Sequence, residues 1–371
     1  MRLFGFILWL GIAVTSAQED VKITDWGTLK NGESVKFITL RRGAASLKIA
    51  TLGAQITELN VPLENGKHRN VVLGHPDLTS AETQGTLGAA IGRYANRISQ
   101  SGFTIDGTRY DLESVNPKTG IQIHGGRTGF QRQNWEIETA PESAGFKPTQ
   151  VAITLKHFSP SGHEGFPGNV TVWVQYRLAN SAGESSEKNK SLLVLEMEFR
   201  AKTDAPTHIN LTNHAYFNLA GEGTIENQAM TLHCPEYLEF DDRNIPTGKV
   251  LPVENTRFDF RKQKLFTTLD ESTRLDHCFV VPPDGEIGHL TLPGKNDLTM
   301  SIFTNQPGVQ IYTANHFKGN PFPKYGAICF ETQHYPDTPN RPEFPSTLLR
   351  PGEWLTETTR YFFSRSTKAQ Y

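Results

Sequence analysis

The chain has 371 residues, 20% of them charged and 37% hydrophobic, with 37 basic against 39 acidic side chains and a formal net charge of −2. This composition excludes a disordered polyelectrolyte and a multi-span membrane protein, and without a basic excess nucleic-acid binding loses its main electrostatic support. Three cysteines cannot make a disulfide framework, so the fold must rest on buried apolar surface, to which 22 Phe, 10 Tyr and 5 Trp contribute heavily.

The chain opens with Arg2, an apolar run from Leu3 to Val14, and the small residues Thr15-Ser16-Ala17 ahead of polar Gln18. That is the layout of a secretory signal peptide. The apolar run falls short of the roughly 20 residues that span a bilayer. Residues 1–17 are therefore read as a signal peptide, 18–371 as one domain, and the mature protein as secreted and free of the membrane. Cys234, Cys278 and Cys329 are read as small buried hydrophobes. Of the sequons at Asn169, Asn189 and Asn210, the polar surroundings of Asn189 make it the best glycosylation candidate, whereas the apolar flanks of Asn210 predict no modification.

Period-2 alternation then dominates. Val151, Ile153 and Leu155; Val170, Val172, Val174, Tyr176 and Leu178; Leu193, Leu195, Met197 and Phe199; Leu298, Met300 and Ile302; and Val309 with Ile311 each alternate with less apolar neighbours. Such alternation predicts half-buried strands of antiparallel sheets. Asn65-Gly66, Asp106-Gly107 and Asp284-Gly285 supply turns. No long run at helical spacing stands out, so a doubly wound sheet or a TIM barrel is excluded. The polar stretches Ala140 to Thr149 and Ala179 to Lys190 read as exposed hairpin loops. The predicted fold is an all-β, large single-domain antiparallel β-sandwich.

Sequence motifs for serine hydrolases, zinc peptidases, Walker loops and dithiol chemistry are missing, and Gly221-Glu222-Gly223 precedes no helix-forming run. Chemistry is left to His, Asp, Glu and Arg, with no metal or other cofactor expected. Gly92 to Arg97 packs two arginines and Asn96 around a turn, where Arg97 could bind vicinal hydroxyls. His124 precedes two glycines that permit close ligand approach. In Asn210 to Leu219 (NLTNHAYFNL), an extended chain would place Thr212, His214, Tyr216 and Asn218 on one face, a set suited to a polyhydroxylated ligand. Asp276 sits among apolar residues, and Gln310 shares a strand face with Tyr312. Glu331 ends an apolar strand before a Pro-rich loop, where partial desolvation would raise its basicity.

GRYANRI, IHGG, EGFPG (Glu164 to Gly168), NLTNHAYFNL, LDHCF, GVQIYTAN and FETQHYPDTPN occur in this order. Together they resemble the aldose 1-epimerases, or galactose mutarotases, over nearly all of the chain beyond the leader. The resemblance implies a β-sandwich with an open sugar cleft and interconversion of the α and β anomers of free hexoses without metal or nucleotide. It further implies that His214 is the general acid, Glu331 the general base, His124 a sugar contact, and Asn96, Arg97, Asp276 and Gln310 substrate-binding residues; the strand face of NLTNHAYFNL adds Tyr216 to the substrate-binding set. Gln131 stands where many members carry Asp, which bears on the local loop. Glu331 would take the proton of the C1 hydroxyl while His214, entering the reaction charged, would protonate the ring oxygen. The competing readings are a sugar-binding protein without catalysis and a glycosidase using Glu331 with Asp276, both disfavoured by a matched His and Glu, and a sugar-phosphate epimerase, for which the sequence offers no extra Arg or Lys cluster.

Overall fold

The computed structural model describes residues 19–63, 66–147, 149, 151–179, 192–271, 273–294 and 298–365. The leader, Asn65, the Asn189 sequon and the stretch from Ala179 to Lys190 beyond its first residue lie outside the described residues.

The alternating segments form strands, and every ladder between the named strands is antiparallel. The largest sheet has nine strands, in the spatial order Glu136–Ile137, Ala152–Ser159, Val170–Ala179, Leu193–Thr203, Leu355–Ser364, Leu298–Thr304, Glu286–Leu292, Ala229–Leu232 and Lys264–Leu265. A six-stranded sheet runs Tyr216–Phe217, Ile328–Gln333, Gly308–Tyr312, Asp276–Val280, Glu236–Phe240 and Pro246–Pro252. A five-stranded sheet is built from residues 19–70. Among the described residues there is one α-helix, Leu78–Gln84, capped by the Asp77 side chain on the Ser80 N–H. No helix among these residues is long and apolar enough to cross a membrane.

One apolar core unites the three sheets. It takes Ile38, Leu47 and Ile49 from the five-stranded sheet, Val172, Val174, Tyr176 and Phe363 from the nine-stranded one, and Val309, Ile311, Ile328 and Phe330 from the six-stranded one. The two larger sheets face each other, as the contact of Phe217 with Tyr361 and the Thr332–Thr359 hydroxyl bond of 2.6 Å show. In Leu298–Thr304 every second residue is buried, which matches the alternation in the sequence. Asp106-Gly107 closes the hairpin of Gly102–Ile105 and Thr108–Asp111 as predicted.

One expectation needs correction. Ala140 to Thr149 is not simply an exposed loop: it winds a 3₁₀ turn at Pro141–Ala144 and buries Ala144 and Phe146 against Trp173. Asp284-Gly285 lies in a turn as expected, the Gly285 N–H donating to the Pro282 carbonyl at 2.9 Å, and carries the chain from the six-stranded to the nine-stranded sheet. All three cysteines are free and buried.

Candidate active site

The inner face of the six-stranded sheet packs on the core. Strand alternation therefore aims a second set of side chains outward. Register places Gln310 opposite Glu331, Asp276 opposite Tyr312, and Tyr216 opposite Cys329. Tyr216, Glu331, Gln310, Tyr312 and Asp276 thus share one outer face across four neighbouring strands.

The opposite wall comes from the segments around Gly92 and His124. Arg97 pairs with Ile123 in a short ladder. The His124 N–H donates to the Asn96 carbonyl at 2.8 Å, and the Asn96 N–H donates to His124 Nδ1 at 3.2 Å. That bond fixes Nδ1 as an acceptor, so the neutral ring carries its proton on Nε2. Gly125 is obligatory here: its φ is +72°, and a Cβ would stand 2.1 Å from the Gly92 carbonyl oxygen. Gln131 touches no reacting group, but its amide donates to the His124 carbonyl at 3.1 Å. His214 is locked from both sides, donating to the Ala89 carbonyl and accepting from the Gly88 N–H.

Two buried side chains tie the motifs together. The Asn210 amide donates to the carbonyls of Ala95 and His334 and accepts from the His334 N–H, joining three motifs. This amide is wholly buried, so the folded chain has no room for a glycan on it. Arg93 gives its guanidinium to the carbonyls of Ser159, Pro160, Pro167 and Gly168, pinning the EGFPG loop. Of the two arginines in the motif, only Arg97 reaches the cleft.

The walls enclose an open cleft of about 260 Å³, lined by Asn96, Arg97, His124, His214, Tyr216, Asp276 and Glu331, together with Thr86, Ile123, Tyr312 and His316. His214 Nε2 lies 3.6 Å from Glu331 Oε1, and the two side chains are 6% and 3% exposed. Among the described residues, Glu331 Oε2 and His214 Nδ1 have no hydrogen-bond partner. Unsatisfied buried polar atoms are expensive and point to a site kept open for a ligand. Tyr216 stacks on the His214 ring at 4.9 Å and 11°. Arg97 reaches Asp276 at 3.4 Å and Asn96 at 3.1 Å.

Burial sets the proton affinities. It pushes Glu331 up to about 8; the Asp276 carboxylate adds to the rise, and Arg97 opposes it. It pushes His214 down to about 4, against the pull of its own backbone and of Asp276. His124 falls well below its ordinary value, chiefly through burial, then through His214 and Arg97. In the free cleft at neutral pH the pair therefore holds one proton, on the carboxyl. His214 is expected to carry its proton when substrate binds; in the free cleft burial works against that charge and Asp276 works for it.

His124, His214 and Glu331 bring donor atoms within 4.8 Å of one another, a set that suits zinc. The Arg97 guanidinium acts on both His124 and Glu331 and works against an added cation.

The structure brings seven of the eight predicted site residues to the cleft. The eighth, Gln310, is 1% exposed and sits beneath it, its amide donating to Asp276 Oδ1 at 2.6 Å. The face proposed for Thr212, His214, Tyr216 and Asn218 is broken. Thr212–Asn213 pairs with Ala90–Ile91, Tyr216–Phe217 pairs with Ile328–Gln333, and the ladder stops at His214. Thr212 and Asn218 are buried, and the Asn218 amide donates to the carbonyls of Glu222 and Gly326, tying the turn after it to the segment that leads into Ile328–Gln333. Tyr312, His316, Thr86 and Ile123 were not singled out by sequence. The alternation GVQIY carries a weak signal for Tyr312; the others have none.

Fold and cleft together define an antiparallel β-sandwich with a polar, histidine- and carboxylate-lined cleft. The aldose 1-epimerase family profile matches residues 36–361, and the chain belongs to that family. It is 37% identical to a galactose mutarotase of Mus musculus over 92% of this chain and 98% of that one. It is 32% identical to an aldose 1-epimerase of Escherichia coli (strain K12) over 90% and 96%. A crystal structure of an aldose epimerase homologue from C. elegans superposes with a TM-score of 0.75 at 27% identity, covering 87% of this chain and 96% of that chain. The chain is accordingly a carbohydrate isomerase that interconverts sugar anomers.

Proposed function

We propose that the substrates are free hexoses of the glucose and galactose type, and that Glu331 and His214 exchange the protons. The observation that carries this reading is the 3.6 Å approach of the two groups, each with an orphaned polar atom, at the floor of a polar cleft. Glu331 takes the proton of the C1 hydroxyl and His214 protonates the ring oxygen. The C1–O5 bond breaks to give the aldehyde, C1 turns about its bond to C2, and reclosure on the other face inverts the anomer.

The resting pair already holds the single proton the cycle needs. Activation only moves it from the carboxyl to the imidazole, so the total charge of the pair is unchanged. A sugar hydroxyl donating to Glu331 and a ring oxygen accepting from His214 stabilise the charged arrangement in place of lost solvent. Arg97, Asn96, His124 and Asp276 supply donors and acceptors for the remaining hydroxyls, and Tyr216 offers a ring face to the sugar C–H groups. The segment Met1–Ala17 supports placing this activity outside the cell.

Polarimetry with α-glucose and α-galactose on the purified chain tests the assignment. Wild-type rates in Glu331→Gln or in His214→Asn would overturn it.

A further inference from the structure

A second cluster with the same donor types lies far from the cleft in the fold, on the nine-stranded sheet. His233, Glu286 and His289 bring donor atoms within 4.8 Å of one another. Glu286 and His289 are three residues apart on one strand, and regular alternation would send them to opposite faces. A β-bulge prevents this. Glu286 pairs with Phe303 and His289 with Ser301, two positions apart on the neighbouring strand, so one extra residue is absorbed between them.

Gly288 makes the bulge possible. Its φ is +137°, and a Cβ there would stand 2.1 Å from the Thr231 carbonyl oxygen. On the other side, Thr231 pairs with His289. His233, two residues further on, lies on that same face, and its N–H donates to the Ile287 carbonyl at 2.8 Å. Ser301 and Phe303 alternate with the buried Met300 and Ile302, so the shared face is the solvent side of the sheet. The His233 and Glu286 side chains are 36% and 34% exposed and stand 3.6 Å apart. The His233 and His289 rings meet edge to face at 5.1 Å.

We infer that His233, Glu286 and His289 form a surface site for a transition-metal dication such as zinc, with water completing the coordination. Two imidazoles and one carboxylate are a donor set zinc accepts with an open position. All three are partly exposed, whereas two of the three donors in the cleft are buried. Three strands fix their backbones before any metal arrives.

The test uses the full chain carrying His214→Asn, which disables the metal-competent triad of the cleft. After chelator treatment it is titrated with zinc alone by calorimetry, and with cobalt alone by visible absorption. One ion per chain is expected, with cobalt d–d bands, and both signals should be lost on adding His289→Ala or His233→Ala. In an otherwise wild-type chain, His289→Ala should leave mutarotation unchanged, showing that the fold is intact. No stoichiometric ion in the His214→Asn chain would overturn the inference, as would binding that survives both His289→Ala and His233→Ala.

Discussion

Two triads of the same composition, two histidines and a glutamate, behave differently because of where they sit. In the cleft, His124, His214 and Glu331 are held at the foot of a sheet face walled by His124 and Arg97. On the far sheet, His233, Glu286 and His289 are each partly exposed. Burial makes the first triad shun charge, so its glutamate holds a proton its histidine has given up. That is a poised proton exchanger, with a guanidinium nearby to discourage cations. The second triad keeps access to water, which suits it to coordination. Donor type alone does not set function; solvation and the neighbouring charge do.

The largest test of this contrast is removal of one carboxylate from each triad. Glu331→Gln should slow mutarotation by about 10²- to 10⁴-fold, the span expected of one positioned proton transfer. Glu286→Gln should leave the polarimetric rate alone. Equal losses from both would erase the distinction.

The pH profile comes next. Below about 4, His214 gains a proton while Glu331 still holds its own, and no base remains. Above about 8, Glu331 loses its proton while His214 is already neutral, and no acid remains. A bell in kcat/KM with limbs near those values is expected, and they belong to the pair as a unit.

Asp276→Asn sharpens the same point. Asp276 raises the proton affinity of both Glu331 and His214, so its removal should move both limbs toward acid. A bell that stays in place would show that Asp276 acts only on the substrate.

The smallest effect is expected from Gln131→Ala, which strips one hydrogen bond from the His124 turn. Denaturant unfolding should register a loss of about 1 kcal/mol, with a modest rise in KM and an unmoved pH profile.

Much of this was legible in the sequence, for reasons that differ by element. The strands announce themselves because Leu298 to Thr304 buries one face and alternation records it; Val170 to Leu178 alternates in sequence too, although Trp173 and Gln175 on its other face are also buried. His214 and Glu331 were found because their motifs occur together in order. What escaped is what long-range register decides. The break in the ladder at His214 removed Thr212 and Asn218 from the cleft, and local alternation cannot report a break. Gln310 occupies the predicted face, yet Asp276 covers it. The outer triad is illegible by the same logic: reading Glu286 and His289 at period two separates them, and only the bulge at Gly288 reunites them.

The three sulfurs inside the fold carry a practical consequence. Burial lifts the Cys234 thiol to about 12 and raises Cys278 and Cys329 as well. Alkylation and oxidation need the thiolate, so the native molecule should pass unmarked through oxidising surroundings. Each sulfur becomes reactive only when its own region opens. The rate at which a maleimide labels the chain is then a clock for unfolding, written into the protein without any added probe.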